Sequence, residues 1–145
     1  MMQDTESKYN DKFVVGVDFG DVTTGVALGK NGVVTPVRSV ASKDKMFAVQ
    51  QICKLVKENK ASAVVVGLPL SIDGKETGQS MEVRRFAKIL KIHSGTPVIF
   101  VDESGSTNEA EEEAIDAGLP QKSRRKVDSI SAALILKRFF ADEGF

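Results

Sequence analysis

The chain has 145 residues, with 20 basic and 20 acidic side chains that cancel to a formal net charge of zero. That length suits one compact domain with its own core, and the zero balance excludes a globally basic nucleic-acid binder; such a partner would have to use a local patch. A single Cys excludes an intrachain disulfide and a Cys-based zinc site, and no apolar run approaches the roughly 20 residues of a membrane helix. The polar stretch 1–12 has no apolar periodicity and is expected to be a poorly ordered tail, followed by one domain over 13–142. The polar start also lacks the apolar centre of a signal peptide, so a cytoplasmic location is expected.

Phe13 to Asp18 is a short β-branched run that ends in an acid, which predicts a strand buried on both faces. After a turn at Phe19–Val22, Thr23–Leu28 predicts a second strand. Asn31-Gly32 then signals a hairpin into a third strand, Val33–Val40, where Pro36 favours a sheet edge. Met46, Val49, Ile52, Cys53 and Val56 recur at helical spacing. Ala63–Leu68 predicts the next buried strand. Val83, Phe86, Ala87 and Leu90 mark a second helix that stops near Gly95 and Pro97, and Val98–Val101 predicts the last strand. A short helix over Glu109–Ala117, a polar basic loop over Gln121–Lys126 and a final helix over Asp128–Phe140, with Ile130, Ala133, Leu134, Ile135 and Leu136 as its apolar surface, complete the chain. Three meandering strands followed by alternating helix and strand predict a mixed α/β sheet with helices on both faces.

In open α/β sheets, sites form beyond the carboxyl ends of the strands. The first strand ends in Asp18 and the last in Asp102-Glu103, of which strand alternation lets only one face a common site. Asp128 opens the final helix; by spacing alone a helix cap is its better reading. Carboxylates without Cys or His partners favour a hard ion, Mg²⁺ or Mn²⁺, and such a centre suits phosphodiester hydrolysis. Lys122, Arg124, Arg125 and Lys126 form the clearest basic cluster and could hold phosphates, although charge runs are usually solvated loops. Gly67 either lets a substrate backbone approach closely or serves a simple turn. Cys53 reads as core, His93 has no assigned role, and Glu109 to Glu113 reads as a solvated acidic helix start.

Four segments, taken in order, resemble one known family. They are Val17-Asp18-Phe19-Gly20 with Gly25-Val26-Ala27; Val65-Val66-Gly67-Leu68-Pro69-Leu70 with Asp73-Gly74; Val101-Asp102-Glu103; and Lys126-Val127-Asp128 with Ala132-Ala133 and Ile135-Leu136. The family is the YqgF/RuvX type, Holliday-junction-resolvase-like proteins assigned as pre-16S rRNA nucleases. The resemblance spans Phe13 to Phe140. It implies an RNase H-like fold with strand order 3-2-1-4-5 and a metal-dependent nuclease acting in 5′-end maturation of pre-16S rRNA. It makes Asp18, Glu103 and Asp128 the catalytic, metal-binding acids and lifts Asp128 above the capping reading. The implied partners are structured RNA, or branched DNA in the older proposal, and a ribosomal precursor particle.

The chain departs from the family's usual text at two places. Ser104 follows Glu103 where an Arg is usual, and the Asp21–Thr24 loop carries no basic residue. Both changes remove positive charge from the implied site, which keeps a catalytically impaired nucleic-acid-binding module as an alternative. The turn Asp18-Phe19-Gly20 with Thr23-Thr24-Gly25 also resembles the phosphate-binding turn of the actin and sugar-kinase ATPases. Those proteins close two domains around ATP, so this reading ranks low.

Overall fold

The computed structural model describes residues 7–103 and 121–145, with side chains in the last helix from Asp128 onward. Its elements are β1 (Phe13–Asp18), β2 (Thr23–Lys30), β3 (Val33–Ala41), α1 (Lys45–Asn59), β4 (Ala63–Leu68), α2 (Gly78–Ser94), β5 (Val98–Asp102) and α3 (Gln121–Asp142). The five strands form one sheet in the order β3-β2-β1-β4-β5. The β1–β2 and β2–β3 pairs are antiparallel, and β1–β4 and β4–β5 are parallel. This is the mixed sheet expected, with Pro36 on the edge strand β3. Asn31 and Gly32 both take positive φ, 54° and 84°, as a two-residue hairpin turn between β2 and β3 requires.

Strand alternation divides the core. Val15, Val17, Val26, Val64 and Val66 face α1 and α2, where they pack with Ile52, Phe86 and Leu90. Val14, Ala27, Val65 and Val101 face α3 and meet Ala132, Ile135, Leu136 and Phe140. Helices therefore cover both faces. Asp44 caps α1 through its carboxylate, and Lys60 closes that helix at φ 50°. Thr77 and Ser80 form a reciprocal capping box at the start of α2.

Three local expectations are corrected. Residues 7–12 of the expected tail form a turn: Tyr9 is buried with its ring edge-on to Phe139 at 5.2 Å, and Ser7 Oγ donates to Glu143 at 2.8 Å. One buried aromatic suffices to hold so short a segment, and it carries no periodicity to read. The basic stretch Gln121–Lys126, expected as a loop, is the start of α3. Gln, Lys and Arg are strong helix formers, and here that propensity outweighs unfavourable cations in the first turns. Ile130 and Leu134, expected on the apolar surface of the last helix, point outward, at 47% and 43% exposure. Residues 1–6, the predicted Glu109–Ala117 helix and the acidic run within it lie outside the described residues.

Candidate active site

Asp18 lies at the C-terminal end of β1. Two residues earlier, Gly16 faces Leu136 and Ala132 of α3, and strand alternation turns Asp18 to the same face. On β5, Ile99 and Val101 face α3, and Glu103 continues that alternation just beyond the strand. Both carboxylates are buried, at 6% and 4% exposure, whereas Asp102 is exposed. Of the two adjacent acids, alternation thus selects Glu103. The backbone carbonyl of Asp102 accepts a hydrogen bond from Arg138 Nη1, which ties the end of β5 to α3.

Close approach sets the rest of the geometry. Gly25 pairs with Asp18 across the β1–β2 ladder. A Cβ on Gly25 would sit 1.9 Å from the carbonyl oxygen of Asp128, so α3 rests directly on the β2 backbone at this point. Asp128 is thereby brought beside the strand end that carries Asp18. It lies seven residues inside α3, which excludes the capping reading. Thr23 Oγ1 donates to Asp128 Oδ2 across 105 residues of sequence. Burial raises the Asp128 carboxyl above the ordinary carboxylate range, and the Thr23 hydrogen bond partly counters that shift.

Gly67 follows Val66, the partner of Val17, and so lies level with Asp18 on the neighbouring strand. A Cβ there would sit 2.6 Å from Glu103 Cδ, 2.7 Å from Glu103 Oε2 and 2.5 Å from Ile135 Cδ1. The space over Gly67 is therefore filled by the Glu103 carboxylate and Ile135. At Gly67, expected either to admit a substrate backbone or to serve a simple turn, the close approach seen is that of Glu103, which the glycine seats. The backbone N–H of Glu103 donates to the Leu68 carbonyl at 3.2 Å.

The turn behind Asp18 is anchored on the opposite face. Phe19 is buried and stacks on Phe86, with centroids 4.2 Å apart. Ser42 Oγ donates to the Gly20 carbonyl at 2.5 Å, and Ser42 N donates to the Val22 carbonyl at 3.0 Å. Phe19, Ser42 and Thr23 escape sequence reasoning because their partners lie far along the chain.

Asp18, Glu103 and Asp128 thus share one face and one end of the sheet. Their oxygen-only chemistry fits a hard divalent cation. Among the described residues, no three His, Cys, Asp or Glu side chains are gathered closely enough to hold one ion. The three acids are placed together by the backbone without converging on a single point. The side chains of Lys122, Arg124, Arg125 and Lys126 lie outside the described residues; their backbone forms the first turns of α3. Among the described residues, no helix is long and apolar enough to cross a membrane.

Known proteins resemble this chain in sequence and in fold. A protein from Chromohalobacter salexigens named "Putative pre-16S rRNA nuclease" is 40% identical over 137 residues, covering 92% of this chain and 93% of its own length. A protein of the same name from Shewanella oneidensis is 34% identical over 134 residues, covering 90% and 95%. RuvC of T. thermophilus, solved in complex with a Holliday junction substrate, has a TM-score of 0.56 at 15% identity, covering 92% of this chain and 96% of that one. At that identity the likeness shows the fold alone, which is the RNase H-like fold expected. The family model described as RuvX, Holliday junction resolvase, matches residues 12–142, and the chain belongs to that family.

Proposed function

We propose that this chain is a divalent-metal-dependent nuclease that hydrolyses phosphodiester bonds in structured RNA during 5′-end maturation of pre-16S rRNA. The observation that carries this reading is the delivery of three acids from β1, β5 and α3 to one end of one sheet face. The relatives named as pre-16S rRNA nucleases support the choice of RNA. The proposed setting is the cytoplasm, on a ribosomal precursor.

Asp18, Glu103 and Asp128 would hold Mg²⁺ or Mn²⁺. When bound, the ion supplies Lewis-acid activation of the scissile phosphate and of the water that attacks it. The chain's own groups prepare the centre. Thr23 orients the Asp128 carboxylate, Gly67 seats Glu103, and the Phe19–Phe86 stack with the Ser42 tether steadies the turn after Asp18. Lys122, Arg124, Arg125 and Lys126 would contact phosphates along the substrate, supplying local positive charge that the whole chain lacks. Cleavage of a precursor rRNA fragment, with and without Mn²⁺, tests the reading. Metal-dependent cleavage by wild type and its loss in Asp18→Asn are expected; identical behaviour of the two proteins overturns it.

A second reading keeps the fold and the nucleic acid but not the chemistry. The Ser at 104 and the acidic Asp21 loop favour it, since both lower positive charge near the acids. Salt-sensitive RNA binding without metal-dependent turnover is its signature. Branched DNA, the substrate implied by the family description, is the alternative for either reading and is tested with a four-way junction in the same assay.

A further inference from the structure

The loop between β4 and α2 leaves the sheet after Leu68, one residue beyond Gly67, the seat of Glu103. At its tip, Ser71-Ile72-Asp73-Gly74 forms a tight turn, with Gly74 N donating to the Ser71 carbonyl at 2.8 Å and Gly74 at φ 79°. Ser71 N donates to the Lys75 carbonyl at 2.9 Å, Lys75 N returns a bond to Ser71 Oγ at 3.0 Å, and Ser71 Oγ also donates to Asp73. The base is held as firmly. Thr77 Oγ1 donates to the Pro69 carbonyl at 3.0 Å, and Arg84 grips Glu76 through two bonds of 2.8 and 2.9 Å. The Arg84 guanidinium lies 5.1 Å from the centre of the Phe100 ring on β5.

Within this braced loop Ile72 is 101% exposed. Ser71, Asp73 and Gly74 supply all the turn chemistry, and a β-branched residue adds nothing to it. Nor does Ile72 fill any core. Scattered exposed apolar residues are ordinary, but among the described large apolar side chains none is as exposed as Ile72; the next, Val33 and Ile92, stand at 73% and 71%. Ile72 stands on a hydrogen-bonded support, five residues from Gly67, a span of at most roughly 18 Å. A strand of nucleic acid seated at the carboxylates would pass within a few nucleotides of it. One side chain is far too small for a specific protein interface, which needs about 800 Å² from each partner. It is the size of the apolar wedges that nucleic-acid-binding proteins insert between stacked bases.

We infer that Ile72 is such a wedge: it packs against a base next to the scissile phosphate and directs the site to places where stacking is interrupted, such as the junction of a stem with a single strand. This rests on the nuclease reading above and adds a specificity-determining residue to it.

The test uses a stem-loop RNA with 2-aminopurine at the first unpaired position, and a fully paired RNA duplex as the comparison. Fluorescence is followed by stopped flow on mixing with the full chain. Wild type and Ile72→Leu are expected to raise the fluorescence as the base unstacks. Ile72→Ser should abolish most of that rise and weaken stem-loop binding about tenfold, the scale of one buried aliphatic side chain. Its duplex binding and Tm should match wild type. If Ile72→Ser binds, unstacks and cleaves the stem-loop like wild type, the wedge is overturned while the nuclease reading stands. If wild type binds neither RNA, both fall.

Discussion

On the α1/α2 face the sheet presents a layer of valines to Ile52, Phe86 and Leu90, whereas on the α3 face Gly16, Gly25, Gly29 and Gly67 interrupt the apolar layer of Val14, Val65 and Val101 and leave the backbone bare at those points beneath α3. The first face separates helix from sheet by two layers of side chains, the arrangement that buries most apolar area. The second gives up that area for proximity. A Cβ on any of these four glycines would fall within 3 Å of a neighbouring atom, and at Gly25 that atom belongs to the Asp128 backbone. The acids Asp18, Glu103 and Asp128 all belong to the bare face. One side of the sheet serves mainly to hold the fold, and the other positions charge.

The largest effect that would sharpen this contrast is on turnover. Asp18→Asn removes a buried carboxylate charge at nearly constant shape and should lower metal-dependent cleavage by about a hundredfold or more, with little change in Tm. On the opposite face Leu90→Ala should do the reverse. Leu90 is fully buried, so the truncation should cost about 3 kcal/mol and roughly 10 °C in Tm, while the folded fraction cleaves at the wild-type rate. Comparable activity losses at matched folded fraction would break the division between the faces.

Gly25→Ala probes the contact between α3 and the sheet. The added methyl meets backbone rather than a yielding side chain, so α3 must shift. A destabilisation of about 1–3 kcal/mol is expected, together with loss of cleavage out of proportion to the unfolded fraction. Gly67→Ala is the milder counterpart, because the Glu103 carboxylate at the end of a flexible side chain can swing aside. Its signature is a smaller fall in Tm with weakened metal binding, read by calorimetric titration with Mn²⁺.

How much of this was legible in the sequence follows from the same contrast. The valine-rich strands, the Asn31-Gly32 hairpin, the edge position of Pro36 and the stop at Gly95 are local signals, and each appears where the pattern places it. Alternation also reduced Asp102-Glu103 to one inward acid. The bare face was harder, because a glycine in a strand does not say what fills its space. The Thr23–Asp128 bond joins residues with no local relation. Asp128 itself was a cap by spacing and an interior helix residue in fact, because Gln121–Lys126 continues the helix. Only the family resemblance pointed to it. Tyr9 escapes the sequence pattern for a related reason: one aromatic in a polar segment has no period.

The smallest expected effect concerns what the bare face costs in stability. Burial raises the Asp128 carboxyl above its ordinary range, so the folded chain holds that proton more tightly than the unfolded chain does. Its contribution to stability is therefore complete below the ordinary carboxylate pKa and is lost as pH rises through the raised value. Asp128→Asn removes the charge and keeps an oxygen to accept from Thr23. In chelator, the Tm of the variant relative to wild type should increase across that pH window and level off above it. Added Mg²⁺ should then raise the wild-type Tm and leave the variant nearly unmoved, reversing their order, since only a ligand bound to the folded state stabilises it. A variant less stable than wild type at neutral pH in chelator would make Asp128 a structural anchor of α3, and the division between a stabilising face and a charge-positioning face would fail at its central residue.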